Sequence, residues 1–167
     1  MTANFDVSAH YDATVEQVLD VLADRAFYES LAGKTWLEPD RVDAIDREPE
    51  SLTTVVHYSY VGKLSSKADR FVKRDDLKWI EEVRYDLNSG AITGGVLVDD
   101  PGKAKMISAS AEGSLKESGG GADHRVKGAI KVHGVPLVGG RAEKWLANTF
   151  AEHTRRLQAA LAERLTS

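Results

Sequence analysis

The stretch RAEKWLANTFAEHTRRLQAALAERL, Arg141 to Leu165, contains neither proline nor glycine and is rich in strong helix formers. Those two residues disfavour a helix interior most, so their absence over this length predicts one continuous helix. At 1.5 Å per residue it would reach roughly 38 Å, long enough to cross a whole sheet. On a helical wheel Leu146, Phe150, Leu157 and Leu161 share a narrow apolar stripe, with Lys144, Asn148 and Arg155 opposite. A stripe of this kind needs an apolar partner face. Immediately upstream, Pro136 and Gly139-Gly140 interrupt whatever precedes the helix.

The partner face is supplied by the middle of the chain, which reads as strands. Leu52 to Val61 alternates, with Leu52, Thr54, Val56, Tyr58 and Tyr60 on one side. Leu77 to Leu87 alternates through Trp79, Val83 and Tyr85, and Asn88-Ser89-Gly90 supplies hairpin chemistry before a strand over Ile92 to Val98. Lys105 to Lys116 and His124 to His133 form a further pair around a loop at Gly119-Gly120-Gly121. Arg41 to Glu48 gives a weaker strand, because Val42 and Ile45 do not alternate cleanly, and Gly62 to Asp76 reads as a polar loop with a helical turn around Ala68 to Val72. At the start, Thr2 to Tyr11 alternates as a half-buried strand. Thr14 and Gln17 then form a capping box ahead of a helix marked by Val15, Val18, Leu19 and Leu22, and a short helix with Phe27 and Leu31 stops at Gly33. A strand, two short helices, hairpin-connected strands and a long amphipathic helix make an α+β domain.

Composition sets the outer limits. The chain has 167 residues, which suits one domain spanning residues 1–167. It has no cysteine, so disulfides, thiolate zinc sites and thiol nucleophiles are excluded. A net charge of −4 argues against nucleic acid as a partner. No apolar run is long enough to span a bilayer, and the absence of a basic-then-apolar start makes a cytoplasmic location the expectation.

Two stretches carry a resemblance: Phe5-Asp6-Val7-Ser8-Ala9 running into Ala13-Thr14-Val15-Glu16-Gln17-Val18, and Val135-Pro136-Leu137-Val138-Gly139-Gly140-Arg141-Ala142-Glu143-Lys144. With the element order, they resemble the START-like, or SRPBCC, superfamily, which includes the major birch pollen allergen and polyketide cyclases. They look most like a bacterial branch of unknown function. The resemblance implies a helix-grip fold: a curved antiparallel sheet around a long C-terminal helix, two short helices after the first strand, and an apolar cavity between sheet and helix. It implies no single reaction, since carriers, enzymes and regulators share this fold.

Candidate chemistry is sparse. His10, His57, His124, His133 and His153 form no chelating motif, and neither a metal nor a cofactor is expected. His153 sits on the apolar stripe, three residues after Phe150 and four before Leu157. It is either a polar anchor or acid–base group in the cavity, or, the weightier reading, a core imidazole bonded to a strand carbonyl or water. Tyr58, Tyr60 and Tyr85 line the cavity or simply pack. Glu81 shares a face with Trp79 and Val83, where burial would raise its pKa, and a solvated edge is the blander alternative. Glu143, in the first helical turn, reads as complementing the helix dipole or sitting at a pocket mouth. Trp36 and Trp145 are cavity walls or packing residues. Gly33-Lys34-Thr35 imitates the end of a phosphate loop, but Tyr28 stands where the earlier glycine belongs.

The expected function is binding of a hydrophobic small molecule, of lipid, polyketide or isoprenoid type, at a cavity including Tyr58, Tyr60, Glu81, Tyr85, Phe150, His153 and Leu157. The enzymatic alternative is a cyclase- or dehydratase-like activity using the same residues for proton transfer. A protein-interaction or regulatory module is the third. Oligomeric state is not legible from these patterns.

Overall fold

A computed structural model describes residues 2–64, 66, 74–100, 102–103, 105–134 and 139–167. The chain opens with β1 (Ala3–Tyr11), followed by α1 (Val15–Leu22) and α2 (Arg25–Glu29). Thr14 and Gln17 cap α1 reciprocally, Thr14 N donating to Gln17 Oε1 at 2.9 Å and Gln17 N to Thr14 Oγ1 at 3.2 Å. Asp24 caps α2 by accepting from Ala26 N at 3.0 Å. β2 (Leu37–Arg47), β3 (Ser51–Tyr60), β4 (Lys78–Asp86), β5 (Ala91–Val98), β6 (Ile107–Ser118) and β7 (Gly121–Val132) follow, and α3 (Gly139–Thr166) closes the chain. The strands form one 7-stranded antiparallel sheet in the order β1-β7-β6-β5-β4-β3-β2. This is the helix-grip architecture, with α3 packed chiefly on β1 and β7.

Local differences from the sequence reading have physical causes. β2 begins at Leu37, ahead of the expected Arg41, and carries Pro39. Proline is tolerated there because β2 is an edge strand and the ladder shifts register beside it, between Pro39 and Arg41. A second shift between Val42 and Ala44 explains why Val42 and Ile45 do not alternate. The expected three-glycine loop is a tighter turn. Gly119 and Gly120 have φ of +56° and +82°, the paired positive values of a two-residue hairpin, while Gly121 already pairs with Ser118 in the ladder. α3 starts two residues earlier than Arg141, at Gly139. The helical turn expected around Ala68–Val72 lies outside the described residues, as does Pro136. Arg74–Asp76 forms a single 3-10 turn.

The core lies between the concave face of the sheet and α3. Leu146, Phe150 and Leu161 of the stripe are buried, while Lys144, Asn148 and Arg155 are exposed. Three ring pairs fasten the helix to one side of the sheet. Trp145 meets Tyr60 at 5.3 Å, Phe150 meets Trp79 at 5.4 Å and His153 meets Tyr58 at 4.8 Å, all edge to face. No helix among the described residues is long and apolar enough to cross a membrane.

Candidate functional site

Antiparallel register carries the inward-facing positions across the sheet in rows. Val83 opposes Gly94, Gly94 opposes Ala111, Ala111 opposes Gly128, and Gly128 opposes Phe5. The three central positions of this row offer at most a methyl group. A Cβ built on Gly94 would lie 3.6 Å from Val83 Cγ2 and 3.8 Å from Ala111 Cβ, so these positions share the concave face. The flanking rows are bulkier: Glu81, Val96, Ala109 and Ile130 on one side, Tyr85, Ile92, Gly113 and Val126 on the other. Over Gly94 and Ala111 the bare row therefore leaves a trough beneath α3, while the Phe5 ring covers Gly128. The trough forms a cavity of about 80 Å³, closed on the helix side by Phe150, His153, Thr154 and Leu157.

Besides Tyr85, whose phenol burial keeps protonated, three titratable side chains face this space. Glu81 lines it from β4, and its carboxylate has no hydrogen-bond or ion-pair partner among the described residues. The cavity itself admits water to Glu81, yet protein surrounds the group, and this desolvation raises its pKa to about 7. His124 enters from β7. Its Nδ1 shares a 3.0 Å hydrogen bond with the Tyr11 hydroxyl, leaving Nε2 buried without a partner. Both ring nitrogens of His153 are buried without partners. Desolvation lowers each imidazole to about 4, so both are neutral at pH 7. Behind the wall, the Tyr58 hydroxyl and Trp79 Nε1 are also buried and unpartnered. Buried polar atoms are normally paired, and those of His124 and His153 that lack a partner among the described residues belong to side chains lining the cavity. Among the described residues no group of metal-binding side chains is assembled.

The structure brings five of the seven residues singled out from sequence to this cavity: Glu81, Tyr85, Phe150, His153 and Leu157. Tyr58 stands behind His153, against which its ring packs, and Tyr60 lies further along the helix against Trp145. Of the core-histidine reading of His153, the burial is seen, while no strand carbonyl among the described residues receives its proton. Sequence reasoning passed over Phe5, His124 and the bare row. The glycine pair Gly94-Gly95 inside a strand was the available signal, because a strand glycine marks a place where something else comes close. Glu143 lies one turn deeper in α3 than its dipole reading requires. It is buried and accepts from Val132 N at 2.9 Å, tying the end of β7 to the helix. Trp145 is a packing residue, while Trp36 is 40% exposed beneath the Arg156 guanidinium. In the apparent phosphate-loop remnant, Gly33 N donates to Glu38, Lys34 pairs with Glu163 and the Thr35 hydroxyl donates to Leu37 O.

A family model described as a protein of unknown function, DUF2505, matches residues 6–165. The chain belongs to this family. No curated protein matches the DUF2505 chain. Among solved structures it is similar to the Zhui aromatase/cyclase from Streptomyces sp. R1128, with a TM-score of 0.67 at 13% identity, covering 99% of this chain and 94% of that one. It is also similar to TTHA0849 from Thermus thermophilus, with a TM-score of 0.61 at 16% identity and coverage of 98% and 97%. Ara h 8.0201 gives a TM-score of 0.57 at 8% identity, with 99% of both chains covered. At these identities the likeness establishes the START-like, Bet v 1-like fold of the DUF2505 chain.

Proposed function

We propose that this DUF2505 chain binds a hydrophobic small molecule in the cavity between its sheet and α3. The observation that carries this reading is the trough over Gly94 and Ala111, apolar along most of its wall and lined by Glu81, His124 and His153, whose side chains hold polar atoms without a partner among the described residues. Such a combination orients a mostly apolar guest through a few polar contacts. A neutral imidazole offers both a donor and an acceptor, matching a hydroxyl or carbonyl on that guest. Cavities for drug-sized ligands run to about 300–1,000 Å³. The present 80 Å³ suits only a compact molecule or one end of a longer one, so a whole lipid, polyketide or isoprenoid requires the cavity to widen.

The test is native mass spectrometry of the protein purified from its own host, followed by extraction of anything bound. One apolar molecule per chain is the expected result. Ala111→Leu, which projects a larger side chain into the trough, should abolish that adduct while leaving the far-ultraviolet dichroism unchanged. An adduct that survives this substitution lies elsewhere, and the reading fails.

The same polar groups favour a second reading, acid–base catalysis of cyclase or dehydratase type. Glu81 is poised near neutrality, where a proton-transfer group is most effective, and His153 lies on the opposite wall. This reading requires that Glu81→Gln abolish turnover of a bound compound without abolishing its binding.

A further inference from the structure

We infer that the cavity selects a compact apolar amine, held as an ammonium ion against Glu81, over a carboxylate or phosphate of the same size. This inference rests on the cavity being a ligand site. It begins from the charge of the walls. The lining residues include no lysine or arginine, and Glu81 is the single carboxylate among them. Nor does any described residue donate to Glu81 or pair with it. A half-buried carboxylate surrounded by protein yet without a protein partner is an unusual arrangement, because charges withdrawn from water are ordinarily paired.

The surroundings sharpen the preference. The groups close enough to act electrostatically with Glu81 are Tyr28 from α2, Tyr58 from β3 and Tyr85 from its own strand. Burial holds the three phenols protonated, so they supply no positive charge. His153 from α3 and His124 from β7 also face the cavity, and desolvation keeps both imidazoles neutral at pH 7. An anionic guest would therefore meet like charge at Glu81 and no cation anywhere on the wall. An alkylammonium would meet the counter-ion that Glu81 lacks, an imidazole acceptor, and the ring faces of Tyr85 and Phe150, which attract cations. Removing a charged guest from water is expensive, and only a partner already waiting in the cavity offsets it.

Because Glu81 titrates near neutrality, the preference carries a pH signature. Alkylammonium groups resemble the lysine side chain and remain charged at neutral pH. Raising the pH from 5.5 to 8 ionises Glu81 while the guest keeps its charge, so amine affinity strengthens. A neutral guest of the same shape shows no such gain.

The experiment uses the full chain and three guests sharing one five-carbon skeleton: isoamylamine, isoamyl alcohol and isovalerate. Each is titrated at pH 7.5 by two-dimensional amide NMR, following the amides of Gly94, Gly95 and His153. The expected order is amine, then alcohol, then carboxylate, with the amine at least about tenfold tighter than the carboxylate. Glu81→Gln should weaken the amine about tenfold and the alcohol by much less, with the dispersion of the remaining amide signals reporting that the variant is folded. Isovalerate binding as tightly as the amine overturns the inference, as does an amine preference that survives Glu81→Gln. Alcohol binding with no advantage for the amine sinks the charge selectivity alone. If all three guests leave the cavity amides unmoved, the cavity reading falls and the inference with it.

Discussion

His153 illustrates how a single side chain can be well placed and badly satisfied. Its ring packs edge to face on Tyr58 at 4.8 Å, yet neither nitrogen has a partner. Leaving a buried polar group unpaired costs about 1–3 kcal/mol. His153→Leu, which removes both nitrogens from an otherwise apolar setting, should therefore raise stability at pH 7 by about 1–3 kcal/mol in urea denaturation. A loss of stability would show that the imidazole is satisfied in solution. The position of His153 was legible from its spacing to Phe150 and Leu157 on one helix face. Its lack of a partner was not, because that depends on which strand atoms lie across the core.

At the scale of elements, what was legible was local. The capping box at Thr14 and Gln17, the turn glycines and the long helix follow from neighbouring residues, and each sits where its chemistry places it. The irregular start of β2 was obscured because its two register shifts answer to β3, not to its own sequence. The bare row escaped for the same reason, since it exists only once three strands are aligned. Within α3 the stripe divides into a packed end and a cavity end. Leu161 is fully buried, whereas Leu157 is partly accessible and lines the trough. Leu161→Ala should cost about 2–5 kcal/mol, as for a well-packed core leucine. Leu157→Ala should cost less than Leu161→Ala, because part of its surface already faces empty space, and it should enlarge the cavity. Paired chemical denaturation curves check this ordering, and equal losses would show that Leu157 is packed as tightly as Leu161.

Across the whole molecule, three buried titratable groups give stability a dependence on pH whose parts oppose one another. Glu81 holds its proton up to about pH 7 in the folded chain, against 4.5 as its ordinary value. Stability from this group is present below 4.5 and is lost as pH rises towards 7. His124 and His153 act in the other direction. Each stays neutral in the folded chain down to about 4 but takes up a proton near 6.5 when unfolded, so stability falls as pH drops through that interval. Two imidazoles against one carboxyl leave a net loss on acidification. Glu81→Gln removes the opposing component, and its stabilisation at pH 8 should exceed that at pH 4 by on the order of 3 kcal/mol. Urea denaturation at both pH values reads this difference, and equal effects would place Glu81 in contact with bulk water.

The trough and the rows beside it have adjustable and fixed positions. At Gly113 an added Cβ would fall 1.9 Å from the Arg125 carbonyl oxygen, so the backbone itself forbids a side chain there. At Gly128 the obstacle is the Phe5 ring, 2.1 Å away, which is a movable side chain. Ala111 already carries a Cβ, pointing into the open space. Lumen volume can therefore be reset at Ala111, or through Phe5, which lines the space and covers Gly128. On the proposed binding role, a scaffold arranged this way exchanges one guest for another by single substitutions at a wall that its long helix does not supply.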